Sequence, residues 1–159
     1  MNLETPIQGS CQCEAVQFEI RQEPLTVYAC HCTDCQRQSG SAFSLSMVVA
    51  RDSLTVTCGK PKEWIRKGGS GQLVSCWFCE RCGARLYHEP HANKAITIVK
   101  SGTLNNSRAF APIGHIWTQS AHSWFELGSE LIKYERQPVD RGALAAAWKI
   151  RREHDGLPK

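Results

Sequence analysis

Apolar and polar residues alternate along most of this chain in short runs broken by turn residues, the period-2 signature of strands with one buried face. Residues 15–20, 25–29, 43–49, 54–57, 73–78, 85–88, 95–99 and 115–118 each read this way. In the third run Leu45, Met47 and Val49 alternate with Ser44, Ser46 and Val48. Many short strands and few helical periods predict a mainly β fold of short antiparallel strands. Gly68-Gly69-Ser70-Gly71 predicts a flexible connection, either a hairpin loop or a lid beside a site. Helical spacing is clear only near the C-terminus, from Asp140 to about residue 154. There Leu144, Ala147, Trp148 and Arg151 share a face, Asp140 offers an N-cap, and Gly156 and Pro158 supply the stop.

A chain of 159 residues suits one domain able to bury a core without disulfides. The formal charge is +4, and residues 141–159 hold five basic and two acidic residues, so the remainder is nearly neutral. Basic helical tails are usually solvated faces, and nucleic acid is therefore not the expected partner. The start, Met1-Asn-Leu-Glu-Thr-Pro6, has neither the basic segment nor the apolar run of a secretory signal, and no stretch approaches the roughly 20 apolar residues of a membrane span. A reducing, cytoplasmic setting without a membrane is expected, where clustered cysteines serve metal or chemistry rather than disulfides.

Seven of the nine cysteines fall into Cys11-Gln-Cys13, Cys30-His-Cys32-Thr-Asp-Cys35 and Cys79-Glu-Arg-Cys82. Two thiolates on one tetrahedral zinc sit about 3.8 Å apart, given bonds of about 2.3 Å, so paired ligands come from neighbouring positions on a tight turn. Cys58 and Cys76 stand outside the clusters and read as small packed hydrophobes. His31 sits within the middle cluster as a candidate fourth ligand or proton carrier, although alternation points it away from its neighbours. His88, His91, His122 and His154 read as surface or structural histidines, and the five tryptophans as core and pocket wall.

The thiolates group in more than one way. A zinc ribbon would pair Cys32 and Cys35 with Cys79 and Cys82, leaving Cys11, Cys13 and Cys30 without a metal. Alternatively, Cys11, Cys13, Cys79 and Cys82 close one site, and Cys30, Cys32 and Cys35 hold a second zinc with a coordination position open, as catalytic zinc sites do. In a third arrangement His31 or another residue closes that second site, and both metals are structural.

Three ordered motifs carry a family resemblance: Gly9-Ser-Cys11-x-Cys13-x-x-Val16-x-Phe18, Cys30-His-Cys32-x-x-Cys35-x-x-x-Ser39-Gly40 and Phe78-Cys79-x-x-Cys82-Gly83. Together with His115-Ile116 and Trp124 they resemble the glutathione-dependent formaldehyde-activating enzyme family, whose domain also occurs in centromere protein V. The resemblance spans roughly residues 8 to 135. It implies a zinc-containing β-tent, with Cys11, Cys13, Cys79 and Cys82 as structural ligands and Cys30, Cys32 and Cys35 around the zinc that meets substrate, hence two zinc ions per chain. Residues 1–139 then form the zinc-binding β domain, and 140–159 its C-terminal helix and basic tail. Glu14 departs from the family's common glycine after the second cysteine, and Gln36-Arg37 from its usual basic pair.

The reaction implied is carbon–sulfur lyase chemistry on a thiol–aldehyde adduct, interconverting glutathione and formaldehyde with S-hydroxymethylglutathione. A zinc-bound thiol is deprotonated at neutral pH, and three thiolates weaken the metal as a Lewis acid, so zinc is expected to hold the thiol rather than activate the carbonyl. Arg37, Ser39 and His115 are the candidate substrate contacts, with a small thiol or thiol adduct such as glutathione as partner. The alternative is a non-catalytic zinc module that binds protein or nucleic acid through its basic tail.

Overall fold

A computed structural model describes residues 5–69, 71–140 and 142–154. Ser70 of the glycine-rich connection, and Gly156 and Pro158 beyond the terminal helix, lie outside the described residues.

Two sheets form. β1 (Ile7–Ser10) and β2 (Gln17–Ile20) pair antiparallel around the first cysteine turn, and β5 (Leu54–Cys58) completes a three-stranded sheet in the order β1-β2-β5. The larger sheet begins from β3 (Thr26–Cys30), antiparallel to β4 (Ser44–Ala50), and continues through β9 (Ile96–Lys100), β8 (Arg85–Pro90) and β7 (Leu73–Phe78) to β6 (Lys62–Lys67) at one edge. At the other edge, β10 (Gly114–Ile116) runs parallel to β3 and to β11 (Ile132–Tyr134), a pairing the short runs do not specify. α1 (Thr33–Ser39) joins β3 to β4, and α2 (Gly142–His154) follows the last strand.

The mainly β expectation stands, and the register explains the alternation. Val27, Met47, Val99 and Tyr87 lie opposite one another across β3, β4, β9 and β8, all buried in the core with Phe18 and Ile20 of the small sheet. The residues between them face the other way. Cys30 opposes Ser44, Ser46 opposes Lys100, and Ile98, His88 and Cys76 follow in line across β9, β8 and β7. Because the side-chain period is two, the core register that buries Met47 also presents this mixed row of polar, thiol and apolar side chains on the opposite face.

Where the local signal was weak, the structure adds elements. β6 reads Lys-Glu-Trp-Ile-Arg-Lys and is largely exposed, an edge strand whose charges discourage pairing with another chain. The glycine-rich connection closes the β6–β7 hairpin, with the Gly68 N–H donating to Gln72 O at 2.8 Å. The run at 115–118 ends as a strand at Ile116, because Trp117 takes a left-handed φ of 60° and a 3-10 turn follows at Thr118–Ser120. α1 is seven residues long, too short to show a period. Cys32 caps it, its sulfur accepting the Cys35 N–H at 3.3 Å, and Gly40 at φ 61° ends it.

Asp140 Oδ1 accepts the Gly142 N–H at 2.7 Å, as an N-capping side chain does. The helix then inserts Leu144 and Trp148 into the core. Thr26 on β3 donates its hydroxyl to Leu144 O at 3.1 Å, and Arg152 pairs with Glu23 at 3.0 Å. Leu144→Ala is therefore expected to cost about 2–5 kcal/mol in urea unfolding. A loss below about 0.5 kcal/mol would mean that the helix is not part of the cooperative fold.

Candidate functional site

The first and third cysteine motifs converge although Cys13 and Cys79 are 66 positions apart. The four sulfurs of Cys11, Cys13, Cys79 and Cys82 lie within 4.8 Å of one another, a group able to hold a metal ion. Cys11 and Cys13 sulfurs are 3.6 Å apart and those of Cys13 and Cys79 3.8 Å, matching the spacing of about 3.8 Å for thiolates on a tetrahedral zinc. The ribbon pairing of Cys32 and Cys35 with Cys79 and Cys82 is not the arrangement observed, since Cys30, Cys32 and Cys35 gather separately, also within 4.8 Å.

Each group of thiols resists full ionisation in a way that a dication relieves. Cys32 is brought down to about 2, chiefly by hydrogen bonds from Cys30 and Cys35. Cys30 is pushed far up by those same two sulfurs and by burial. In the other group Cys82 falls to about 6, led by the backbone N–H groups of Ala84 and Cys13. Cys13 rises to about 11; the Ala15 N–H favours its thiolate, but desolvation and the three neighbouring sulfurs outweigh it. Crowded thiols that lose a first proton easily and a last one with difficulty are the donor set a zinc ion suits, because the metal replaces the protons.

The turns that hold the clasp repeat one geometry. Cys11 N–H bonds Val16 O at 3.0 Å and Cys79 N–H bonds Ala84 O at 2.9 Å, while Glu14 N–H and Gly83 N–H return to the first cysteine carbonyl at 3.0 and 2.8 Å. Gly83 has φ 74° and Glu14 φ 58°. Glutamate thus occupies a left-handed position that glycine fills without strain in the other turn.

His31 is fully buried, and its ring turns away from the cysteines, as alternation requires. Its Nε2 lies 2.8 Å from His115 Nδ1, and the rings of Phe43 and Phe125 flank it at 5.3 and 5.4 Å. Burial depresses both imidazoles, His31 further through the nearby His115. A neutral pair results, in which one ring nitrogen donates and the other accepts. His115 therefore stands in a buried ring cluster with His31 and Phe125. Arg37 is exposed and borders an open depression with His122, Trp124 and Phe125. Ser39 lines a separate cavity of about 490 Å³, and its hydroxyl donates to Cys35 O at 2.8 Å and Phe43 O at 3.1 Å, which ties the end of α1 to the next strand.

The same cavity is lined by Ser44, Cys82, Arg85 and Lys100, so it opens beside the four-cysteine group, and Ser44 on its wall opposes Cys30 across the β3–β4 register. Neither cation was legible as a site residue, since each becomes relevant only through cross-strand register. Arg66 is a third: it pairs with Asp34 of α1 at 2.7 Å and its charge favours the Cys32 thiolate. Outside the clusters, Cys76 is buried as expected, whereas Cys58 is exposed at the end of β5. His91 bonds the Ser75 hydroxyl at 2.8 Å, and His122 stacks on Trp124. The His154 side chain lies outside the described residues.

These features define a β-sheet protein with two cysteine groups able to hold metal ions and a cation-lined cavity that Cys82 borders. The chain belongs to the glutathione-dependent formaldehyde-activating enzyme family, whose model matches residues 6–120. Fungal relatives described under the same family name include a Talaromyces marneffei protein, 28% identical over 94 residues, covering 56% of this chain and 49% of the relative. A Podospora anserina protein is 32% identical over 79 residues, covering 48% and 36%. The chain thus spans half or less of the length of these curated relatives. A Rhodobacter sphaeroides protein of known crystal structure shares the fold at TM-score 0.50 and 24% identity, over 62% of this chain and 88% of that one. No helix among the described residues is long and apolar enough to cross a membrane.

Two measurements check the local chemistry. Glu14→Gly is expected to raise stability by roughly 0.5–1 kcal/mol, read as a higher unfolding midpoint, since relief of left-handed strain exceeds glycine's entropic cost. His88 is held well below its usual value of 6.5, first by burial and then by Lys100, Arg66 and Arg85. The unfolded chain therefore takes up a proton that the native ring refuses. This stability is fully present above pH 6.5 and is lost as pH falls towards the depressed native value. Wild type should accordingly lose more stability than His88→Gln between pH 7.5 and about 5.5; equal losses in paired urea titrations would contradict the assignment.

Proposed function

We propose that the protein is a zinc-dependent carbon–sulfur lyase acting on thiol–aldehyde adducts, with glutathione and formaldehyde combining to S-hydroxymethylglutathione or the reverse. In that reaction the thiol sulfur bonds to the aldehyde carbon and the thiol proton ends on the new hydroxyl. One observation carries the reading: Cys30, Cys32 and Cys35 gather without a fourth histidine, cysteine or carboxylate ligand among the described residues, whereas the other group has four. Four thiolates close a tetrahedral site and three leave a position for substrate. Family membership supports the same substrate pair.

Zinc held by Cys30, Cys32 and Cys35 would supply a position at which a thiol binds deprotonated. The chain's own residues do the rest. Cys35 N–H donates to the Cys32 sulfur at 3.3 Å and Arg66 adds positive charge near it, so the site's excess negative charge is spread. Lys100 likewise places a positive charge by Cys35. Cys11, Cys13, Cys79 and Cys82 hold a second, structural zinc in this reading. Residues 1–139 form the zinc-binding domain, and 140–159 belong to it as helix and tail. Cysteines clustered for metal rather than paired as disulfides suit a reducing cytoplasmic setting.

The rival reading, a non-catalytic module that binds through the basic tail, finds less free surface than the sequence offered. Arg152 is buried against Glu23, and Arg151 donates to Pro112 O at 2.9 Å.

Purified protein is expected to carry two zinc ions by elemental analysis, and a reproducible value of one would rule out the two-site reading. Cys32→Ser should lose one zinc and its acceleration of S-hydroxymethylglutathione formation over the spontaneous rate, yet stay folded by circular dichroism. Cys82→Ser should unfold the domain. Metal-replete wild type that leaves the spontaneous rate unchanged in both directions would reject this substrate pair.

A further inference from the structure

We propose that Arg85 and Lys100 form an anion subsite that takes a carboxylate of the substrate thiol, an inference that rests on the thiol reading above. Both line the cavity of about 490 Å³ that Cys82, Ser39 and Ser44 also border, a volume within the range that small ligands occupy.

Neither cation has an acidic partner among the described residues. Among the described residues, the ion pairs engage Arg21, Arg51, Lys62, Arg66 and Arg152, and neither Arg85 nor Lys100. Arg66 shows the contrast: it stands on the same sheet face, opposite Val74 on β7, and already has an acidic partner in Asp34. Arg85 is also held in place. Its guanidinium lies over the rings of Trp64 and Phe78, at 5.1 and 5.5 Å from their centroids, and its Nη1 is buried without a hydrogen-bond partner. A buried, unpaired guanidinium donor is costly, and a carboxylate oxygen in the cavity would satisfy it. Lys100 donates to the Ser44 hydroxyl at 3.1 Å and, with three donors on its ammonium, keeps capacity for a ligand.

Position relates these cations to the thiol chemistry. Ser44 opposes Cys30 in the β3–β4 register, and Ser39 on the same cavity wall bonds the Cys35 carbonyl. A ligand whose sulfur reaches the three-cysteine group can therefore extend its charged end along this wall towards Arg85 and Lys100. The ligand class selected is a small thiol bearing at least one carboxylate several bonds from sulfur, in preference to an uncharged thiol.

Calorimetric titration of the metal-replete protein with S-methylglutathione tests this without relying on turnover, because the methylated sulfur cannot ionise and both carboxylates remain. Arg85→Gln and Lys100→Gln should each weaken binding about tenfold or more, whereas Arg85→Lys, which keeps the charge, should stay within about threefold of wild type. The diethyl ester of S-methylglutathione should bind wild type about tenfold more weakly than the free acid and be indifferent to the substitutions. Dissociation constants unchanged by Lys100→Gln and by a folded Arg85 variant would overturn the subsite, as would no measurable binding of S-methylglutathione to wild type. Carboxylate-dependent binding without acceleration of the formaldehyde reaction would overturn the catalytic reading and leave the subsite standing. Acceleration with carboxylate-independent binding would overturn the subsite alone.

Discussion

Four sulfur atoms, two from a turn of each sheet, converge on one point of this protein. Cys11 and Cys13 stand on the turn between β1 and β2 of the small sheet, and Cys79 and Cys82 on the turn between β7 and β8 of the large one. Their convergence requires both hairpins to present sulfur to one point, so the position of the small sheet on the core is coupled to the geometry of a single donor set. The backbone supports this: each turn closes on its first cysteine through the same pair of N–H bonds. One turn pays for it with a left-handed glutamate.

With the sheets registered in this way, the large sheet has two faces of opposite character. The inward face buries Val27, Met47, Val99 and Tyr87. The outward face collects Cys30, Ser44, Lys100, His88 and Cys76, and α1 brings Cys32 and Cys35 onto it. Positive charge from Arg66, Arg85 and Lys100 gathers where thiolates and an anionic ligand would sit. The neutral, buried His31–His115 pair adds no charge of its own, which leaves the electrostatics to the outward face.

Much of this was legible in local pattern. Alternation located most of the strands because each has one buried face, and the spacing of the cysteines marked metal-type turns because two ligands on one ion must be a few ångströms apart. The departure at Glu14 was visible by comparison with glycine in the resembling family, and the structure gives it a physical meaning as a strained φ. By contrast β6 and α1 left no clear trace, the first because an exposed edge strand needs no apolar face, the second because seven residues are too few for a helical period. Arg37, Ser39 and His115 were nominated by proximity in sequence or by motif. The fold places them on an open surface, in a turn and in a buried pair, respectively.

The chain by itself therefore determined the composition of each turn and the alternation of each strand, since these depend on residues within a few positions of one another. It did not determine which cysteine motif joins which, nor that Arg85 and Lys100 share a cavity wall. Those outcomes depend on strand order and register across the sheets, where Cys13 meets Cys79 and β8 meets β9. Only the tertiary packing sets them, because no local interaction distinguishes one pairing of turns or one sheet order from another.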